Sequence, residues 1–92
     1  MEKLENAINS LITPIGISME ELVEKNHSKN ISQVRNIVYY ILHCDMGYSF
    51  NKIARFFNRC DREIKYRVAQ IKFRITHFSD DKECYEKIVN PR

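Results

Sequence analysis

Apolar side chains recur along this chain at intervals of three and four, the spacing that collects them on one face of an α-helix, and strand-like alternation is absent. Leu4, Ile8, Leu11 and Ile12 make the first stripe, which Pro14 and Gly16 bring to an end. Ser18-Met19-Glu20-Glu21 has the form of a capping box, so a short second helix is predicted to about Lys25. The polar run from Asn26 to Asn30 reads as a loop. From Ser32 onward, Val34, Ile37, Val38, Ile41 and Leu42, with Tyr40 or Cys44 on the flank, define the most apolar helix, expected to form the centre of the core and to end between Asp45 and Gly47. Gly47 suits a helix-terminating positive φ, and Ser49 an N-cap.

Phe50, Ile53, Ala54 and Phe57 then predict an amphipathic helix of about two turns. Asn58-Arg59-Cys60 turns the chain, and Asp61 is the expected N-cap of a long helix with Ile64, Val68, Ile71, Ile75 and Phe78 as its buried side. Asp80 or Asp81 is expected to cap a final helix, 81–89, carrying Cys84, Tyr85 and Ile88. The prediction is an all-α single domain over residues 1–92, five to six helices arranged around a helix-turn-helix at 49–78.

A length of 92 residues with 43% apolar content supports one modest core and leaves little chain for a second domain or a deep cleft. No apolar run has the length of a membrane span, and Met1-Glu2-Lys3-Leu4-Glu5 lacks the basic-then-apolar layout of a signal peptide; a cytoplasmic chain is expected. Cys44, Cys60 and Cys84 have no spacing that suggests zinc, and His27, His43 and His77 read as surface or half-buried residues rather than ligands, so no metal or cofactor is expected. Cys44 is expected to be a small core residue. No Ser, His and Asp set and no pair of carboxylates suggests catalysis, and the chain is expected not to be an enzyme.

The net charge of +3 conceals a strong polarity. Residues 1–24 hold five acids and one base, whereas residues 52–79 hold eight bases and two acids. Positive charge concentrated in one third of a small domain is an electrostatic footprint for phosphate, and it falls on the helix-turn-helix, which makes double-stranded DNA the expected partner. At 100° per residue, Arg62, Tyr66, Ala69, Gln70 and Phe73 lie opposite the long helix's buried stripe, with Lys65 and Lys72 along one edge and Arg67 and Arg74 along the other. Arg62 and Tyr66, in the first turns, are placed to meet base edges, the arginine by bidentate pairing with guanine and the tyrosine at a phosphate or a thymine methyl. Lys52, Arg55 and Arg59 suit backbone phosphates. Phe73 is ambiguous between exposure and packing on a terminal helix, and packing is the favoured expectation. The alternative to DNA binding is a protein-interaction module in which the basic helix meets an acidic partner or a second copy, with Tyr39, Tyr66 and Phe73 as anchors.

Ser28 to Ile75, and in particular Arg35-Asn36-Ile37-Val38-Tyr39-Tyr40-Ile41-Leu42, Tyr48-Ser49-Phe50-Asn51-Lys52-Ile53-Ala54-Arg55-Phe56-Phe57 and Asp61, resembles the C-terminal DNA-binding domain of the bacterial replication initiator family DnaA. Arg35, Ser49, Ile53, Phe57 and Asp61 match that family's pattern by residue type. The resemblance implies a Trp-repressor-like helix-turn-helix in transcription or replication control of a bacterial or phage or mobile-element system. It also adds Arg35 and Lys29 to the candidate DNA contacts, Lys29 or Lys25 standing as a point charge for a loop arginine that would fall near His27. Relatives of this class include dimers, so a homodimer is compatible with it. Three departures stand out: Ala54 for a glycine, Asn58-Arg59 for paired glycines, and Arg62-Glu63-Ile64 for the His-Thr-Thr that reads bases. The last argues against the initiator's own sequence preference. No Gly-x-x-x-x-Gly-Lys-Ser/Thr occurs, and no nucleotide is expected as a ligand.

Overall fold

A computed structural model describes residues 2–23 and 29–89, with the side chains of Glu2 and Lys29 outside the description. Six α-helices follow one another: α1 (Glu2–Ile12), α2 (Met19–Val23), α3 (Lys29–Tyr40), α4 (Phe50–Phe57), α5 (Asp61–His77) and α6 (Ser79–Val89), with no strand among the described residues. A single 3-10 turn, Thr13–Ile15, carries Pro14 and ends at Gly16, whose φ of 77° lets its N–H reach the Thr13 carbonyl. The capping box is present: the Ser18 hydroxyl accepts from the Glu21 amide at 3.1 Å and the Glu21 carboxylate accepts from the Ser18 amide at 3.3 Å. The expected end of α2 at Lys25 and the loop residues Asn26, His27 and Ser28 lie outside the described residues. The loop expectation is corrected at its far end, because Lys29 and Asn30 already belong to α3.

α3 is the centre of the domain. Val34, Ile37, Val38, Ile41 and Leu42 are all buried as the stripe requires, and Tyr39 is buried as well, at 1% exposure, its ring edge-on to Phe57 at 4.9 Å. Tyr39 is therefore a core residue and not a surface anchor. The helix widens over Ile41–Asp45 into one π-helical stretch, with the Met46 amide donating to the Ile41 carbonyl. This widening turns Cys44 outward, so the expected core cysteine is exposed. Gly47, at φ 79°, folds the chain back so that the Tyr48 amide meets the Leu42 carbonyl at 2.9 Å, and the His43 ring stacks on Phe50.

Helix α2 closes one side of α3 and carries α1 against it, α5 packs along another side, and α6 returns over α3, α5 and α1. Only Phe78, in an extended conformation, separates α5 from α6. Helix α6 begins earlier than expected, with Phe78 supplying the first helical carbonyl to the Lys82 amide, so neither Asp80 nor Asp81 caps it. Asp81 instead sits 2% exposed and ties three helices together, accepting from Gln33 Nε2 of α3 at 3.1 Å and pairing with Arg74 Nε of α5 at 3.3 Å. Ile64, Val68 and Ile71 are buried, but the stripe fades at the C-terminal end: Ile75 is half-buried and Phe78 exposed.

Because Arg74 retains access to water and Gln33 is half-buried, removing the carboxylate leaves no fully stranded charge. Asp81→Ala is therefore expected to cost about 1–2 kcal/mol, read in urea as a lower transition midpoint at unchanged slope.

Candidate nucleic-acid interface

The approach of α4 to α5 is set by three backbone residues. Ser49 caps α4 through its hydroxyl, which accepts from the Lys52 amide at 3.2 Å. At the other end Asn58 takes a left-handed conformation, φ 54° and ψ 50°, which brings the Arg59 amide to the Ala54 carbonyl at 2.8 Å and seals the helix. Asparagine is among the few non-glycine residues that tolerate this region, so it supplies the backbone that a glycine would supply. Cys60 is extended and stands at the N-cap position of α5 without a side-chain capping bond, while Asp61 is the first helical residue. The expected Asp61 cap is thus corrected by one position. Its charge, with that of Glu63, still opposes the positive end of the helix dipole.

From this junction α5 projects an outward ridge. Arg62, Lys65, Tyr66, Ala69 and Phe73 are exposed, Tyr66 at 61% and Phe73 at 56%. Lys52 and Arg55 are exposed on the adjoining α4. Arg67 is half-buried, with its guanidinium 5.8 Å from the centre of the Tyr66 ring. Arg59 is half-buried and pairs with Glu63 one helical turn away, at 3.0 Å. Gln70 is half-buried beside Gln33, Asn36, Arg74 and Asp81, facing α3 and α6 more than the ridge. Among the sequence candidates, Arg62, Lys65, Tyr66, Lys52 and Arg55 therefore share the open surface of the two helices, whereas Arg59, Arg67 and Gln70 line its inner edge.

Arg35 stands apart from that surface. It is 6% exposed, and its Nε donates at 2.7 Å to the Leu22 carbonyl, in the last turn of α2. Burial lowers its pKa, and the neighbouring Arg59 and Arg67 act in the same direction, against Tyr39 and Glu63. It is a linchpin between α2 and α3 and does not extend to the exposed ridge. The side chain of Lys29, with Lys25 and His27, lies outside the described residues.

Phe73 departs from the favoured expectation. Its ring stacks on His77 at 4.1 Å and lies near Phe78, which is also exposed, so these aromatic groups pack on one another and on no terminal helix. The i, i+4 spacing of Phe73 and His77 was the available signal for this cluster, but the heptad-like stripe ending at Phe78 pointed inward. No helix among the described residues is long and apolar enough to cross a membrane.

The family model described as the bacterial dnaA protein helix-turn-helix matches residues 5–64, from α1 through the first turn of α5. The chain belongs to this DnaA helix-turn-helix family. A relative is the chromosomal replication initiator protein DnaA of Pseudothermotoga lettingae, 28% identical over 68 residues, which cover 74% of this chain and 15% of that protein. The chain thus spans a small part of the curated relative it matches. No solved structure matches it. Within the DnaA family match lie the buried α3 stripe, the Ser49 cap and the Asn58 turn; beyond it lie most of α5, with Lys65, Tyr66, Arg67 and Phe73, and all of α6.

The burial of Tyr39 raises its phenol pKa to about 12, and burial together with a 2.9 Å hydrogen bond to Asp45 does the same for Tyr85. A folded pKa above the unfolded value of about 10 makes the protonated phenol part of the native state, so this contribution to stability is complete below pH 10 and is lost as pH rises towards 12. An alkaline titration followed by tyrosinate absorbance should show these phenols ionising last, together with loss of helical circular dichroism. Tyr39→Phe should remove one late-ionising group.

Proposed function

We propose that this domain binds double-stranded DNA with α5 in the major groove and α4 against the backbone. Membership of a DNA-binding helix-turn-helix family supports binding, and the observation that carries the orientation is the exposed ridge Arg62, Lys65 and Tyr66 immediately after the sealed α4–α5 turn, with Lys52 and Arg55 exposed beside it. A helix entering a groove by its N-terminal end presents its first two turns to base edges, where Arg62 and Tyr66 stand. Arg62 is assigned to guanine, Tyr66 to a thymine methyl or a phosphate, and Lys52, Arg55 and Lys65 to backbone phosphates. With a longest dimension of 31 Å, the chain covers about one helical turn of duplex, one site per copy.

The sequence read is assigned as different from that of the initiator DnaA, because Arg62-Glu63-Ile64 stands where base-reading His-Thr-Thr is the family pattern, and Ile64 is fully buried. The setting is control of transcription or replication in the cytoplasm of a bacterial cell, by its own chromosome or by a phage or mobile element. Binding is the activity assigned, with no catalytic step.

A second reading, docking of a protein partner or a second copy, draws on the exposed Phe73 and Phe78 at the far end of α5. It places the apolar contact away from Arg62 and predicts concentration-dependent mass in sedimentation, abolished by Phe73→Ser and unaffected by Arg62→Glu.

Fluorescence anisotropy against a random-sequence duplex tests the DNA reading. Three phosphates neutralised by Lys52, Arg55 and Lys65 give a log–log salt slope of about −2.7, roughly a fortyfold loss of affinity between about 50 and 200 mM salt. Arg62→Glu and Lys65→Glu together should abolish binding at low salt with an unchanged unfolding midpoint, both side chains being exposed. Salt-independent binding, or full binding by the double variant, would refute the assignment.

A further inference from the structure

Among the described residues, the buried side-chain polar atoms with no hydrogen-bond partner are the Tyr39 hydroxyl and the Arg59 Nε, and both residues line one pocket. The pocket has a volume of about 160 Å³ and is walled by Ser32, Arg35, Asn36, Tyr39, Arg59, Glu63 and Arg67. Its floor is the buried pair Arg35 and Tyr39, and its rim is the half-buried Ser32, Asn36, Arg59, Glu63 and Arg67. We propose that this pocket, between α3, the α4–α5 turn and α5, is a binding site for a single phosphate group.

The charge balance selects the sign of the ligand. Arg59 and Arg67 meet here, above the buried Arg35, with one carboxylate among the described lining residues, Glu63, which already pairs with Arg59 Nη1 at 3.0 Å. With Glu63 taken up by Arg59, Arg67 leaves a local excess of positive charge in a partly desolvated space, where Coulomb interactions are strong. A cation is repelled and a neutral ligand leaves the excess uncompensated. The unpartnered groups select the geometry: Arg Nε–H is a donor only, the phenol donates readily, and guanidinium forks match the oxygens of phosphate. Native proteins rarely leave such groups buried and unmatched.

Two sources supply that chemistry. Glu63 and Arg67 lie on α5 alongside Arg62 and Tyr66, so a backbone phosphodiester of a duplex seated on α5 is adjacent to the rim; this source rests on the DNA reading above. A free phosphate or a phosphorylated small molecule is the other, and it does not.

The experiment uses the full chain, wild type and Tyr39→Phe, a change that deletes only the hydroxyl. In chloride, the variant should unfold at the same temperature as wild type or higher, since an unmatched buried group is gone. Inorganic phosphate at pH 7, against chloride of equal ionic strength, should raise the wild-type midpoint saturably, and the variant should need roughly tenfold more phosphate for the same rise. Arg67→Gln, at the half-buried rim, should lose the same response and serves if Tyr39→Phe disturbs α3. Random-sequence duplex is then titrated into each. A duplex affinity about tenfold weaker in Tyr39→Phe identifies the backbone as the source, with or without a response to free phosphate. An unchanged duplex affinity with a lost phosphate response identifies a free phosphate. A wild type that binds no duplex but responds to phosphate overturns the DNA reading and upholds the pocket. Equal phosphate responses and equal duplex affinities in wild type and both variants overturn the pocket.

Discussion

The domain depends on α3 being enclosed on nearly every side. A helix packed against α2, α5 and α6 buries more than its apolar stripe, and residues flanking that stripe are drawn in with it. Arg35 and Tyr39 are such residues, one turn apart on the α5 side. Burying a guanidinium demands fixed acceptors, and the Leu22 carbonyl at the end of α2 is one. That bond, with the burial of Leu22 in the shared core, joins the shortest described helix to the central one. It also puts a permanent positive charge beneath the turn from which α5 departs. The electrostatics at the start of α5 therefore originate in the packing of the core as well as in its exposed bases.

The second constraint is the left-handed residue at Asn58. With φ fixed there, the amide of Arg59 closes α4 and the direction of α5 is determined two residues later. The paired glycines of the family pattern would satisfy the same backbone requirement without side chains. Substituting Asn58-Arg59 retains the turn and adds a guanidinium at the inner edge of the junction, where it pairs with Glu63. Glu63 is itself one of the departures from the family pattern. The two departures meet: the added cation and the added anion form an i, i+4 ion pair across the turn at 3.0 Å.

Much of the fold was legible in the sequence because it rests on local rules. The stripes of α1, α3 and α4, the Ser18–Glu21 capping box, the Ser49 cap and the Gly16 and Gly47 stops are each decided by residues within a turn of one another. What was not legible depends on contacts distant in sequence or on a departure from ideal helix geometry. Cys44 faces outward because a π-helical stretch shifts the register at the end of α3, and no residue type announces that shift. Asp81 reads as a cap by composition, but Gln33 and Arg74, far away in the chain, draw it inside. Of the candidate site, the exposed members Arg62, Lys65 and Tyr66 follow from helical phase alone. The inward position of Arg35 and Tyr39 does not, because phase gives the direction of a side chain and not what has been packed over it.

The boundary of the family match, at Ile64, falls where these physical demands change character. Up to that residue nearly every element is fixed by core packing, a cap or a backbone stop, and a substitution is felt by the whole fold. Beyond it, α5 is held on its inner side, through Val68, Ile71 and the Arg74–Asp81 pair, while Lys65, Tyr66, Ala69 and Phe73 face outward, the two rings meeting near neighbours in sequence, Tyr66 with Arg67 and Phe73 with His77 and Phe78. A helix held by one face can exchange the other at little cost in stability, since surface substitutions away from caps and buried pairs alter it by only about 0.5 kcal/mol. The face of α5 that packs on the fold and the face exposed to solvent are therefore separable within one helix. The α3 stripe, the Ser49 cap and the left-handed turn fix the course of α5, and its exposed face can change without disturbing any of them.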